Sequence, residues 1–257
     1  MRSNLFMRLP MRSAMAGLLA LGAAAAMATP AIAAPAAPVK RAVELPPSAD
    51  LAYDLSAQQK SIGLKGDALI AWRAGDGKYD VNVEARVQLL GKLNEYRSQG
   101  TVDAYGLAPD TFTEKRYRKE ATTTTFLRDE KVISFTGTKL PYVMKGGEQD
   151  RASVTWQLAA VARAAGEANF KPGSEWTFVV AGRRDAEPWT FKVLKQEKIR
   201  TGMGELDTIH VKREARDSRD DSVEVWLAPG QEWYPVKIRF EDERDTIDQT
   251  LKSITRK

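Results

Sequence analysis

The sequence contains no cysteine and a single histidine in 257 residues. The first absence excludes disulfides, thiol nucleophiles and lipid attachment at a cysteine beside a cleavage site. The second bears on catalysis, because serine-type triads and most catalytic metal sites use imidazole as base or ligand. With one histidine and no thiolate, a catalytic zinc site would be left with carboxylates alone, so no metal and no cofactor is expected. Acidic residues are missing before Glu44, and no apolar run reaches the ~20 residues that span a bilayer. There is no catalytic constellation, no repeat of fixed period and no internal Gly/Ser/Pro linker after Pro47.

What the N-terminus does hold is a secretory-signal pattern. Arg2, Arg8 and Arg12 form a positive segment, and an apolar stretch of Ala, Leu, Met and Gly runs from Ala14 to Ala28. Small residues offer cleavage at Ala26-Met27-Ala28 or at Ala31-Ile32-Ala33, the second lying closer to a Pro-rich mature start. The expected organisation is a signal peptide over 1–33, a flexible Pro/Ala-rich leader over 34–49 and one β-rich domain over 50–257. An apolar run of about 15 residues is short for a membrane anchor. The chain is therefore expected to be a soluble periplasmic protein with no stable transmembrane anchor after cleavage, secretion being the alternative. Loss of three arginines lowers the formal charge from +5 to +2. That near balance, and the compartment, argue against a nucleic-acid partner, which calls for a basic stripe.

After Asp50 the dominant pattern is two-residue alternation broken by turns, the mark of half-buried strands. Ala68, Ile70 and Trp72 alternate, Gly75-Asp76-Gly77 supplies a turn, and Tyr79, Val81 and Val83 resume, which predicts a hairpin. Further pairs are expected at Thr101–Tyr105 with Phe112–Tyr117, linked by Gly106-Leu107-Ala108-Pro109, and at Thr122–Leu127 with Lys131–Phe135. One helix interrupts them over about 150–165. Val154, Leu158, Val161 and Ala165 follow helical spacing, Asp150 can cap its start and Gly166 can close it. The narrow stripe predicts packing on one face. Strands then return through Trp176, Trp189, Ile209, Val223, Val236 and Ile247. The expected fold is mainly β: a curved, largely antiparallel sheet, or an open β-barrel or roll, with one short packed helix.

Several segments resemble the exported bacterial family known as domain of unknown function 3108. They are Leu51-Ala52-Tyr53-Asp54-Leu55, Gly106 to Phe112, Gln149-Asp150-Arg151-Ala152-Ser153 and Ala181 to Phe191. Val225 to Pro229, Tyr234 to Ile238 and Ile247-Asp248-Gln249-Thr250 complete the set, which spans nearly all of the mature chain in order. The resemblance implies a β-rich exported fold with a short helix, and no assigned activity.

Candidate chemistry stands beside plain structural roles. His210, between Ile209 and Val211, reads as an ordinary strand histidine at a sheet surface. Asp150, Asp185, Glu187 and Asp248 are the carboxylates in the family-like segments, and a pair across a cleft could serve glycan hydrolysis. Asp150 reads more simply as the helix cap, and Asp185 as a turn residue that Arg151 could pair with, as it could with Asp150. The run Asp217-Ser218-Arg219-Asp220-Asp221-Ser222 lacks the ligand alternation, glycine and distal glutamate of a calcium loop and reads as a hairpin tip. Lys115-Arg116-Tyr117-Arg118-Lys119 fits an edge strand guarded by charge, with contact to anionic headgroups as the functional alternative.

The aromatic strands carry the leading reading. A strongly curved sheet capped by a helix can leave an apolar cavity for a lipid-like ligand. Trp226, out of phase with Val225 and Leu227, marks an exposed or second apolar surface, and Trp226, Trp189 and Arg151 are the candidate ligand-binding residues. A non-enzymatic periplasmic binder of an apolar or amphipathic ligand ranks first. An envelope assembly protein with a protein partner ranks second, and a carboxylate-dependent enzyme acting on glycan third.

Overall fold

The computed structural model describes residues 39–59, 62–88, 91–215, 220–241 and 245–257. The expected signal peptide, the leader up to residue 38 and Asp217-Ser218-Arg219 of the acidic run lie outside the described residues.

The period-two segments pair in chain order. The first half holds β1 (Ala49–Gln59), β2 (Ile62–Gly75), β3 (Lys78–Val87), β4 (Gly91–Asp103), β5 (Gly106–Arg116), β6 (Thr122–Leu127), β7 (Val132–Phe135) and β8 (Thr138–Val143). The two-residue β9 (Gln149–Asp150) leads into α1 (Ser153–Asn169). The second half holds β10 (Glu175–Ala181), β11 (Ala186–Thr201), β12 (Gly204–Arg213), β13 (Ser222–Ala228), β14 (Tyr234–Glu241) and β15 (Asp245–Arg256). Among the described residues these strands form one 15-stranded sheet, in which β1 lies between β2 and β15 and the edges are β8 and β9. Every pairing is antiparallel except the short parallel contact of β9 with β10. The curved, largely antiparallel reading holds, and the ladder stays open.

Side chains bridge the halves where no ladder runs. Gln149 Nε2 donates to the Leu107 carbonyl at 2.6 Å, and Gln157 Oε1 accepts from the Leu107 N–H at 2.8 Å. Gln157 Nε2 donates to the Tyr105 carbonyl at 2.7 Å, and Thr124 Oγ1 donates to the Gly182 carbonyl at 2.8 Å. Buried amides and hydroxyls thus satisfy backbone groups that a closed barrel would pair along strands.

The helix runs Ser153–Asn169, beyond the expected 150–165, because Gly166 (φ 64°, ψ 170°) breaks the α-conformation without ending the coil and another turn follows. Its packing also differs from the one-faced expectation: every residue from Ser153 to Ala162 is buried. Trp156 belongs to a core built mainly from β1–β3 with Tyr234, Val236 and Leu251 of β14 and β15, whereas Leu158, Val161 and Ala162 pack with Phe178, Phe191 and Val225 of β10, β11 and β13. Ala159, Ala160 and Ala162 are the reason, since small side chains let the sheet approach the helix from more than one side.

Three other expectations change. Gly106-Leu107-Ala108-Pro109 is not a link but the buried start of β5. The end of the leader is fixed: the Trp72 indole N–H donates to the Pro46 carbonyl at 2.9 Å, Tyr234 hydroxyl to the Pro47 carbonyl at 2.8 Å, and Ala49 is fully buried in β1. A proline carbonyl remains a good acceptor, so a Pro-rich stretch can be anchored by its oxygens. Lys115 and Arg116 end β5, an inner strand of the sheet, and pair there with Glu95 and Asn94 of β4, the β6 ladder having stopped at Glu114.

At the β4 bulge, a Cβ on Gly100 would stand 2.2 Å from the Ala108 carbonyl oxygen and 2.9 Å from Pro109 Cα. Both are backbone atoms and cannot swing aside. Gly100→Ala is expected to lower unfolding free energy by about 1–3 kcal/mol, read by urea denaturation. A wild-type midpoint would show that β5 can shift away.

Candidate functional site

The curl of the sheet leaves a cavity of about 490 Å³. Its walls are period-two apolar positions from both halves, among them Leu55, Ile70 and Val83 from β1–β3, and Val223, Ile238 and Ile247 from β13–β15. Ala152, Thr155 and Trp156, around the first turn of α1, complete the apolar part. Phe240 also lines it and is 37% exposed, so apolar surface continues out to solvent.

The polar lining includes Tyr96, Arg116, Arg151 and Asp221, besides Gln58, Asn94, Glu241 and Gln249, and Trp189 lines the cavity too. Arg116 Nε is paired with the buried Glu114 carboxylate. Arg151 has a looser partner, with Nη2 4.0 Å from Asp221 Oδ2, and among the described residues its buried Nε has no hydrogen-bond acceptor. The expected partners of Arg151, Asp150 and Asp185, are therefore replaced by Asp221, the residue before β13. Tyr96 is held neutral, its phenol pushed up to about 12 chiefly by burial and further by Glu114. Arg116, Arg151 and Arg183 lie close enough to act on that phenol in the opposite sense.

Trp189 is positioned rigidly. Its indole N–H donates to Glu187 Oε1 at 3.0 Å, and the Arg213 guanidinium lies 4.2 Å from the ring centroid. Arg213 is itself buried and tied by Nη2 to Glu187 Oε1 at 3.0 Å and Asp220 Oδ1 at 2.8 Å, and by Nη1 to the Asp221 carbonyl at 2.6 Å. A stacked, hydrogen-bonded guanidinium fixes the plane of the indole against the cavity.

Of the three candidate ligand-binding residues, Trp189 and Arg151 meet on this wall and Trp226 does not. Trp226 faces away from Val225 and Leu227, as its phase requires, and the second apolar surface it marks is buried, not exposed. There it stacks on His210 with centroids 4.1 Å apart and donates to Glu197 Oε1 at 2.8 Å. His210 is likewise buried and not at a surface, because Glu224 Oε2 at 2.7 Å and Glu197 Oε1 at 3.2 Å flank its two ring nitrogens. Burial lowers its pKa, against the pull of Glu224.

The candidate carboxylates are not brought together. Asp150 is buried at the start of the helix, where Oδ1 accepts the Ala152 and Ser153 N–H groups at 2.8 Å each. Asp185 sits exposed in the β10–β11 turn, its carbonyl accepting the Gly182 N–H at 2.8 Å. Asp248 is bound in a fork by Arg239 Nε at 2.8 Å and Nη2 at 2.9 Å. Among the described residues no group of three His, Cys, Asp or Glu side chains is placed to hold a metal ion, and no helix is long and apolar enough to cross a membrane. Sequence reasoning missed Tyr96, read Asp221 only as part of a hairpin tip, and put the edge-guard reading of Arg116 ahead of headgroup contact. The one signal for Arg116 was the basic run at the end of β5.

The fold is similar to that of a β-barrel-like protein of domain of unknown function DUF1849 from Brucella abortus, with a TM-score of 0.54, 16% identity, and coverage of 84% of this chain and 100% of that one. Weaker likenesses reach a domain described as an outer membrane lipoprotein-sorting protein from Vibrio parahaemolyticus (TM-score 0.29, 9% identity, 82% and 86% coverage). A DUF1329 family protein from Desulfovibrio piger is comparable (TM-score 0.27, 8% identity, 82% and 86% coverage). Neither of these two bears on function. No curated protein matches the sequence. The family described as "Protein of unknown function (DUF3108)" matches residues 53–252, nearly the whole domain, and the chain belongs to that family.

Proposed function

We propose that the protein is an exported periplasmic binder that holds an apolar or amphipathic ligand in the cavity between its two half-sheets, without catalysis. The carrying observation is the cavity itself. About 490 Å³ of mainly apolar-lined space falls within the ~300–1,000 Å³ of small-molecule sites, which are typically apolar with a few placed polar groups. Trp189 supplies a rigid aromatic wall and Arg151 a polar group with bonding capacity to spare. The leader sequence supports the address, since its positive segment, apolar core and small-residue cleavage pattern are those of an exported chain.

Native mass spectrometry of protein purified gently from periplasm tests the ligand and the address. The expected spectrum shows a chain cleaved after Ala33 carrying a stoichiometric adduct that organic solvent extracts. A processed chain with a clean apo mass overturns the ligand reading and favours an envelope protein as partner. An unprocessed mass overturns the address.

A further inference from the structure

We infer that the ligand is an amphiphile with an anionic head, its apolar part in the cavity and its head at the guanidinium groups of Arg116 and Arg151. This rests on the cavity being the binding site, and it adds the class of molecule. The apolar wall sets the tail. About 490 Å³ of mainly apolar-lined space is of the size that holds a small apolar body, and Phe240 carries the apolar surface on to solvent.

Charge sets the head. Arg116, Arg151 and Arg183 all act on the Tyr96 phenol, which stands on the same wall. Against them stand Glu114, which is buried and paired through Oε1 with Arg116, its Oε2 having no hydrogen-bond partner among the described residues, then Asp221 beside Arg151, and the exposed Glu241 on the cavity lining. The contrast with Arg213 is informative. Both have a buried Nε without an acceptor among the described residues, but the Nη groups of Arg213 have three acceptors at 2.6–3.0 Å, whereas Arg151 Nη2 has one carboxylate oxygen at 4.0 Å. A guanidinium fork is matched by a carboxylate or phosphate oxygen pair. Asp221, about half exposed, is the carboxylate that now faces Arg151, so an incoming anion competes with it. Opposite effects at the two residues follow: loss of Arg151 weakens the anion, and loss of the Asp221 charge strengthens it.

The test uses the processed protein, delipidated on a hydrophobic resin, and tryptophan emission as the readout, since Trp156 and Trp189 line the cavity. Probes of one chain length are dodecanoate, dodecyl phosphate, dodecanol and dodecyltrimethylammonium below their micelle concentrations, with inorganic phosphate to separate a free anion from an amphiphile. The two anionic probes are expected to bind about tenfold tighter than dodecanol, the scale of one charge-assisted hydrogen bond, with the cation weakest and inorganic phosphate silent. Arg151→Gln should lose that tenfold with dodecanol binding unchanged, and Asp221→Asn should gain affinity for the anions alone. Because Arg116 neutralises a buried acid, it is tested as the double variant Glu114→Gln/Arg116→Gln, expected to act in the same direction as Arg151→Gln. Equal binding of anion, alcohol and cation would sink the head-group assignment and leave the cavity reading standing. Inorganic phosphate binding as tightly as dodecyl phosphate overturns the amphiphile. Silence from every dodecyl probe overturns the cavity reading itself.

Discussion

Trp156→Ala is expected to remove about 3–5 kcal/mol of unfolding free energy, the usual cost of truncating a fully buried tryptophan. The indole is 1% exposed and lies flat against Trp72, with centroids 4.2 Å apart and planes 4° from parallel. Tyr234 meets its edge at 6.2 Å. Trp156 therefore joins β2, α1 and β14, three elements far apart in sequence. Its loss cannot be repaired by local collapse, because the vacated space adjoins a cavity already present. Against a total stability of about 5–15 kcal/mol for a domain, the variant can fall close to unfolding. Trp156→Phe keeps part of the stack and should lose roughly half as much by the same area argument. Urea midpoints for the two variants give the comparison. A loss below about 1 kcal/mol for the alanine variant would mean that the helix is not enclosed as described.

The second large effect is at Asp150. Its carboxylate is fully buried, accepts the Ala152 and Ser153 N–H groups through Oδ1 and takes the Ser98 hydroxyl on Oδ2 at 2.5 Å. Ser98 in turn contacts the Tyr79 hydroxyl at 2.9 Å, so one acid ties β3, β4, β9 and the helix start together. Asp150→Ala leaves two backbone donors and a hydroxyl without an acceptor, at a cost of about 2–4 kcal/mol. Asp150→Asn keeps Oδ1 and turns an amide toward Ser98, whose oxygen can accept it.

The pH dependence separates charge from geometry. Burial pushes the Asp150 pKa up from 3.8 to about 6, against hydrogen bonds from Ser98, Ser153 and Ala152. Between those two values the folded chain binds the proton that the unfolded chain releases, so this group makes stability fall as pH rises from about 4 to about 6. Completed above pH 6, the effect is on the order of 3 kcal/mol. The Asn variant is therefore expected to be at least as stable as wild type at pH 7, and to lack this slope. A steeper loss for Asn than for Ala at pH 7 would show that the negative charge itself is required.

Local features were readable to the extent that their causes are local. The Ala68–Val83 hairpin, the Gly166 break and the phase of Trp226 against Val225 and Leu227 each depend on a few consecutive residues. That Asp150 accepts N–H groups at the helix start was readable for the same reason, since they lie two and three residues on, though the N-cap position itself is Ala152. The enclosure of α1 was not. A stripe of Val154, Leu158 and Val161 predicts one buried face, and nothing in that window says that alanines on the other faces will meet a second half-sheet. Nor could the polar wall be assembled. Tyr96, Arg116, Arg151 and Asp221 come from β4, the end of β5, the turn before α1 and the connection into β13.

Alternation, turn residues and capping spacing determined by themselves that this chain forms a long antiparallel meander with one helix, because each strand needs only a polar face, an apolar face and a turn. Whether that meander flattens, closes or curls around the helix was decided only in three dimensions. Curvature is the sum of small twists between adjacent strands, and a few degrees in each pairing separate a filled roll from one that keeps about 490 Å³ open. The cavity, the residues that meet on its wall and the two glutamines that bridge its halves all depend on that sum, which no stretch of sequence contains.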